Sequence, residues 1–199
     1  MQHPLIIASS NKGKIKEFAQ LLQASPFNIL SAKTIGGMPV VDENGSSFLE
    51  NAIIKAQAVH AKAPEGYWVL ADDSGLSVEA LQGDPGVHSA RYGGEHASDS
   101  DNCAKLLAAL AKDTTANRRA QFECALCLID DRGRLSYYSG VCTGHISTTL
   151  EGTQGFGYDP LFIPDGYSTT FGVLDKQIKA KISHRAQACE HLVASFADF

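Results

Sequence analysis

The sequence carries no surplus of positive charge: 17 lysines and arginines face 22 aspartates and glutamates, for a formal net charge of −5. Proteins that hold nucleic acid by its phosphate backbone are usually basic, so no nucleic acid is expected as a partner. A small anionic ligand stays compatible, because it needs only a local cluster of cations. Long apolar runs are also missing, so no membrane span is expected. The first residues, Met1-Gln2-His3-Pro4-Leu5, lack the basic flank and apolar stretch of a secretory signal. The five cysteines are odd in number and follow no framework spacing, which argues against a disulfide scaffold. Cys124 and Cys127 form a lone C-x-x-C within the strand-like run 122–129. Strand residues three apart face opposite sides, a poor geometry for chelation. The thiols are therefore expected to be buried and reduced, in a cytoplasmic protein. No repeat or low-complexity tract interrupts the chain.

What remains is ordinary globular composition, 44% hydrophobic and 20% charged over 199 residues, enough for one domain with a sizeable core. Its most informative stretch is Leu70-Ala71-Asp72-Asp73-Ser74-Gly75-Leu76. The apolar residues from Trp68 to Ala71 read as a buried strand, and two carboxylates follow at once. Carboxylates at the end of a buried strand are costly unless a metal, a base or hydrogen bonds satisfy them. Successive strand residues point to opposite faces. One of the pair is therefore expected to face a ligand and the other to be held by backbone or a cation. Asp, Ser and Gly are also ordinary turn residues, so a plain turn after Ala71 is the competing reading.

Upstream, Leu5 to Ala8 reads as a short strand, Ser9-Ser10-Asn11-Lys12-Gly13-Lys14 as a polar turn, and Ile15, Phe18, Ala19 and Leu22 as one face of a helix. A loop with hydroxyls, an amide and two lysines at a helix start suits phosphate. It is not a Walker loop, since Ala8 stands where the first glycine belongs. Phe27 to Leu30 can be a strand. The segment 34–45 is a loose connection carrying Asp42 and Glu43. A helix then opens at Ser47, with Glu50 as its capping partner and Leu49, Ala52, Ile53, Ala56 and Val59 as its apolar stripe. Glu43, with no visible capping duty, is a better metal candidate than Glu50.

Leu76 to Leu81 alternates like a half-buried strand. Ser98 and Asp101 can open a helix with Cys103, Leu106, Leu107 and Leu110 inside. The runs 120–129 and 135–146 read as a long hairpin around Asp130-Asp131-Arg132-Gly133. Gly152, Gly155 and Gly157 bring backbone close to a flat ligand, and Phe156 among them can stack on a base. The final helix starts near Ser183. Lys179, Lys181, His184 and Arg185 crowd that start, where the helix dipole disfavours cations, so an anion is expected there.

Six blocks in this order carry a resemblance: Ser9 to Lys14; Phe48-Leu49-Glu50-Asn51-Ala52; Ala71 to Leu76; Pro85-Gly86-Val87-His88-Ser89-Ala90-Arg91-Tyr92; Gly155-Phe156-Gly157-Tyr158-Asp159-Pro160; and Ser183-His184-Arg185. Together they span nearly the whole chain, which resembles the inosine triphosphate pyrophosphatase family, the RdgB-like enzymes acting on non-standard purine nucleoside triphosphates. The resemblance implies a single α/β domain over residues 1–199, with a long, bent mixed sheet, two α/β lobes and a nucleotide cleft between them. It implies a homodimer. It also implies Mg²⁺-dependent hydrolysis of ITP, dITP and XTP to the monophosphate and pyrophosphate, which cleanses the precursor pool.

Carried over residue by residue, Ser9, Ser10, Asn11, Lys12, Gly13 and Lys14 match the triphosphate segment. Asp73 matches the metal ligand and proton acceptor, with Ser74 as a substrate contact. Glu43 matches the upstream metal acid, with Asp42 the alternative beside it. Phe156, Gly157, Tyr158 and Asp159 match the base loop. Lys179, His184 and Arg185 match the C-terminal base and phosphate contacts. Ser10 and Gln154 stand where many members have glycine, which alters loop shape without removing a functional group. Two other readings compete: a triphosphatase releasing phosphate, and a nucleotide-binding module without catalysis.

Overall fold

The computed structural model describes residues 2–113, 115 and 117–196. Its strands are β1 (His3–Ala8), β2 (Phe27–Ser31), β3 (Trp68–Val78), β4 (Arg119–Ile129), β5 (Leu135–Ile146) and β6 (Phe162–Pro164). They form a sheet in the order β2-β1-β3-β4-β5-β6. β1 runs parallel to both neighbours, with Leu5 opposite Ile29 and Trp68, whereas β5 and β6 are antiparallel. The sheet is therefore mixed, as expected. The helices are α1 (Lys12–Leu21), α2 (Phe48–His60), α3 (Asp99–Leu110), α4 (Lys176–Ile182) and α5 (His184–Ala194). Among the described residues no helix is long and apolar enough to cross a membrane.

The chain divides into two compact units. The first comprises the described residues of Met1–Asp73, Cys124–Gly140 and Arg185–Phe199. The two-residue strand period explains its layering. Leu5 and Ile7 of β1 and Trp68 and Leu70 of β3 point to one face, where Phe18 and Leu22 and then Ala188, Cys189 and Leu192 of α5 cover them. Ile6, Ala8, Val69 and Ala71 point to the other, against Ala52, Ala56 and Val59 of α2. Cys124 falls in the first layer and Cys127 in the second, as strand residues three apart must. All five cysteines are free and buried.

The second unit comprises Ser74–Glu123 and Val141–His184. Leu76 and Val78 pack there with Cys103, Leu106 and Leu110 of α3, Phe122 of β4, Cys142 and Ile146 of β5, and the ring pair Phe162–Phe171. α3 opens with a full capping box: Ser98 Oγ accepts from Asp101 N at 3.2 Å, and Asp101 Oδ2 accepts from Ser98 N at 2.9 Å.

Three expectations about the elements need correction. The strand at 68–71 does not turn at the carboxylates; β3 runs unbroken through Asp72 and Asp73 to Val78, and Glu79–Leu81 is a 3-10 turn rather than strand. The strand can continue because cations meet both carboxylates, as described below. The buried stripe of α2 is Asn51, Ala52, Lys55, Ala56 and Val59, rotated from the expected one, with Leu49 and Ile53 only half-buried. The basic C-terminal segment is two helices. Lys179 and Lys181 lie in the last turn of α4, where a helix dipole favours cations, and Ser183, in extended backbone, separates them from α5.

Candidate active site

In the first unit the alternation of β3 sends Asp72 to the α1/α5 side, with Leu70, and Asp73 to the α2 side, with Ala71. Asp72 is 2% exposed. Lys14 of α1 lies 2.8 Å from its Oδ2, and Arg185 of α5 donates to the same oxygen at 3.2 Å. Arg185, 1% exposed, also donates to Glu17. The Cys124 thiol donates to Asp72 Oδ1 at 3.3 Å. Burial alone would raise the Asp72 carboxyl. The charges of Arg185 and then Lys14 outweigh it and hold the group far below the usual carboxylate range. The anion that offsets the positive start of α5 is therefore supplied by the protein itself, a correction to the expectation of a ligand anion there. Arg185, expected to offer donors to a base, gives them to Asp72 and Glu17.

On the other face Asp73 meets α2. Lys55 Nζ lies 2.7 Å from Asp73 Oδ1 and 2.9 Å from Glu43 Oε2, so one ammonium bridges both acids. Asn51, one turn earlier, donates from Nδ2 to Asp73 Oδ2 at 3.3 Å and accepts from Gly45 N at 2.9 Å. That second bond seats the Glu43 loop on the helix. A Cβ at Gly45 would stand 2.7 Å from Asn51 Oδ1, so the close approach requires glycine. Burial pushes the Asp73 carboxyl up, and Lys55 offsets part of that shift. Burial lowers Lys55, but the charges of Asp73 and Glu43 prevail and keep it protonated. Ser47 Oγ caps α2 by accepting from Glu50 N at 3.2 Å, as read from the sequence, but the Glu50 carboxylate accepts from Ser46 N at 2.7 Å and Ser46 Oγ at 2.9 Å rather than from Ser47.

The sequence reading missed Lys55 and Asn51. Their signal was available: two polar residues four apart, flush with the alanine face of α2, lie on one side of a helix. Among the described residues no group of three or more His, Cys, Asp or Glu side chains is arranged to hold a metal. Glu43 and Asp73 nevertheless lie close enough to share a cation, since Lys55 is such a cation between them. Oxygen donors of this kind suit Mg²⁺, which commonly takes one or two carboxylates and completes its shell with phosphate and water.

The turn before α1 is partly self-satisfied. Asn11 caps the helix, its Oδ1 accepting from Gly13 N at 2.8 Å and Lys14 N at 3.1 Å, and Ser9 Oγ accepts from Asn11 N at 3.1 Å. Ser10 and Lys12 are exposed.

In the second unit Asp159, 2% exposed, organises the glycine loop. Its Oδ2 accepts from Phe156 N at 2.8 Å and from Lys179 Nζ at 2.6 Å. Lys179 Nζ lies 4.8 Å from the Phe156 ring centroid, a cation–π distance. Gly155 has φ +79°, and a Cβ there would strike the Asp159 carboxylate. Tyr158, expected in the base loop as a substrate contact, is a core residue whose hydroxyl donates to Ser89 O at 2.9 Å. Half-buried Phe156 is the aromatic left to meet a flat ligand. The His184 ring stacks on Phe122, 4.8 Å between centroids and 15° between planes. Ser74 is half-buried in β3.

The family model described as the Ham1 family matches residues 5–195. A dITP/XTP pyrophosphatase from Opitutus terrae is 44% identical over 194 residues, covering 94% of this chain and 96% of the relative. One from Desulforamulus reducens is 45% identical over 184 residues, covering 92% and 90%. A HAM1 protein from Coxiella burnetii superposes with a TM-score of 0.88 at 36% identity over 100% of both chains. A nucleoside-triphosphatase / dITP/XTP pyrophosphatase from Mycobacterium abscessus gives 0.75 at 37% identity, covering 96% of this chain and 98% of its own.

Proposed function

The chain belongs to the Ham1 family, and on that premise we propose that it hydrolyses dITP, XTP and ITP to the nucleoside monophosphate and pyrophosphate with Mg²⁺, removing these nucleotides from the precursor pool. The observation that carries the reading is Asp73, a buried carboxylate with its carboxyl pushed up, joined to Glu43 through one cation. A mere phosphate binder gains nothing from two added negative charges. A hydrolase that needs a base and a divalent cation uses both.

Glu43 and Asp73 would hold the metal. When bound, Mg²⁺ neutralises phosphate charge and lowers the pKa of a water. Asp73 accepts a proton from the attacking water, and its raised carboxyl makes it a better base than an exposed aspartate. Lys12 and Lys14 take the charge of the phosphate chain, with Lys14 held in place by Asp72. Lys55, whose stem is buried in α2, supplies a further positive charge beside the base. Attack at the α-phosphorus expels pyrophosphate, and no covalent enzyme intermediate is needed.

In the second unit Phe156 offers a stacking face, with Gly157 and Asp159 shaping its loop. Lys179 and His184 provide donors for the base edge. Donors pair with the C6 keto oxygen of hypoxanthine or xanthine and are left unpaired by the amino group of adenine, which makes discrimination strong. The family resemblance supports a homodimer, and five buried free thiols suit a reducing cytoplasm.

The test is a panel of dITP, XTP, ITP, GTP and ATP with Mg²⁺ or with chelator, with products identified. Inosine or xanthosine monophosphate with pyrophosphate, and none in chelator, is the expected result. Diphosphate with phosphate would identify a triphosphatase, and binding without turnover a non-catalytic module.

A further inference from the structure

The glycine loop is held from a second direction that neither the family blocks nor the sequence reading touched. Asp99 is the first residue of α3, and its Oδ2 accepts from Gly157 N at 2.7 Å, across 58 positions of sequence. One turn along the same helix face, the Cys103 thiol donates to Gly157 O at 3.4 Å. Burial, aided by the charges of Asp99 and Asp159, pushes that thiol up to about 12, so it remains a donor. Both polar backbone groups of Gly157 are thus engaged by α3.

Helix capping does not account for Asp99. Ser98 and Asp101 already form the capping box, each bonded to the other's backbone N–H. The Asp99 carboxylate bonds instead to the backbone of the residue after Phe156. Asn102, buried beside it in sequence, accepts from Gly93 N at 2.6 Å and so ties a separate loop. Gly157 has φ +62°, a left-handed conformation with little intrinsic preference over its alternatives in glycine. External bonds must therefore select it. Phe156 N is fixed by Asp159 and Gly157 N by Asp99, so two consecutive amides flanking the stacking residue end on carboxylates from different parts of the second unit.

We propose that Asp99 is a positioning residue for base recognition, clamping Gly157 so that the Phe156 ring is pre-set to receive the purine. The inference rests on the reading of 156–159 as the base loop. It assigns α3, a helix with no catalytic residue, a part in substrate affinity.

Asp99→Ala removes the acceptor, whereas Asp99→Asn removes the charge but keeps an oxygen that accepts from Gly157 N. The two variants separate the clamp from a favourable charge at the helix start, which both abolish. With dITP as substrate, Asp99→Ala should raise KM about three- to tenfold, the scale of one lost hydrogen bond to a charged group at a partly exposed site. Its kcat should stay within about twofold, because the phosphate chemistry is untouched. Asp99→Asn should remain near wild type in both. Amide hydrogen exchange at Gly157 should quicken in Asp99→Ala and not in Asp99→Asn. An Asp99→Ala protein with unchanged KM and unchanged Gly157 exchange overturns the clamp. Equal impairment of both variants assigns Asp99 to helix stability and overturns it too. A wild-type protein without activity on dITP and XTP refutes the base-loop reading itself, a distinct failure.

Discussion

Asp72 and Asp73 are chemically identical neighbours, and Asn substitution should separate them cleanly. Asp72 is enclosed with Arg185 and Lys14, both cations converging on one oxygen. Removing one partner of a buried ion pair costs ~3–5 kcal/mol, because the remaining charge is stranded. Two features move Asp72→Asn to the low end: Arg185 keeps Glu17, and the Lys14 side chain is 16% exposed and reaches water. We expect a loss of about 3 kcal/mol. At this chain length each kcal/mol lowers Tm by ~2–4 °C, so the melting point should fall by about 6–12 °C. Asp73→Asn should cost about 1 kcal/mol or less, since Lys55 retains Glu43 and burial already penalises the Asp73 charge. Activity should reverse the order. Asp73→Asn should lower kcat by roughly 10²-fold or more through loss of base and metal ligand, while Asp72→Asn, which only loosens the hold on Lys14, should lose far less turnover wherever it stays folded. Thermal and urea unfolding followed by circular dichroism, with kcat on dITP at a temperature where both variants are folded, measure the two axes. Equal destabilisation, or a folded Asp73→Asn protein with wild-type turnover, would refute the assignment of one aspartate to structure and the other to chemistry.

Acid unfolding should carry the signature of Asp72. Arg185 and Lys14 outweigh burial and depress its folded pKa, so its stabilisation is complete above the ordinary Asp range of ~4 and is lost as pH falls from there towards the folded value. Urea titrations from pH 6 downwards should steepen below about pH 4 in the wild type and less so in Asp72→Asn. Lys55→Met keeps the buried stem but leaves Glu43 and Asp73 facing each other without their shared cation. In chelator it should melt below wild type, and Mg²⁺ should raise its Tm more than it raises the wild type's; equal shifts would contradict a common cation position. Phe156→Ala should raise KM for dITP and dATP together, by about 5- to 100-fold from the loss of stacking, with their kcat/KM ratio nearly unchanged. A changed ratio would make Phe156 a reader of the base edge.

Much of this was legible in the chain because it follows from local periodicity. The alternation of β1 and β3 assigns core faces residue by residue, and it places Asp72 and Asp73 on opposite sides before any contact is known. The caps at Ser47 and Ser98 are side chains acting on their own neighbours. What escaped was long-range. Local sequence shows no support for two buried carboxylates and so leaves a turn after Ala71 open as a competing reading; their support comes from Lys14, Arg185 and Lys55, distant in sequence. Lys55 was hidden by its type, since a lysine beside an apolar stripe usually lies in water. The final helix starts beside Ser183 as expected, but the cations ahead of it mislead because an unexpected helix, α4, carries Lys179 and Lys181 in its last turn. The three-residue β6 and seven-residue α4 are too short to show a period.

Hydrolysis of dITP in ¹⁸O-labelled water tests the proposed chemistry most directly, because the label records which phosphorus the activated water attacks. With Mg²⁺, one labelled oxygen per turnover should appear in the deoxyinosine monophosphate and none in the released pyrophosphate, and both products should vanish in Asp73→Asn. Label in pyrophosphate, release of labelled phosphate with deoxyinosine diphosphate, or undiminished product from a folded Asp73→Asn protein would contradict it.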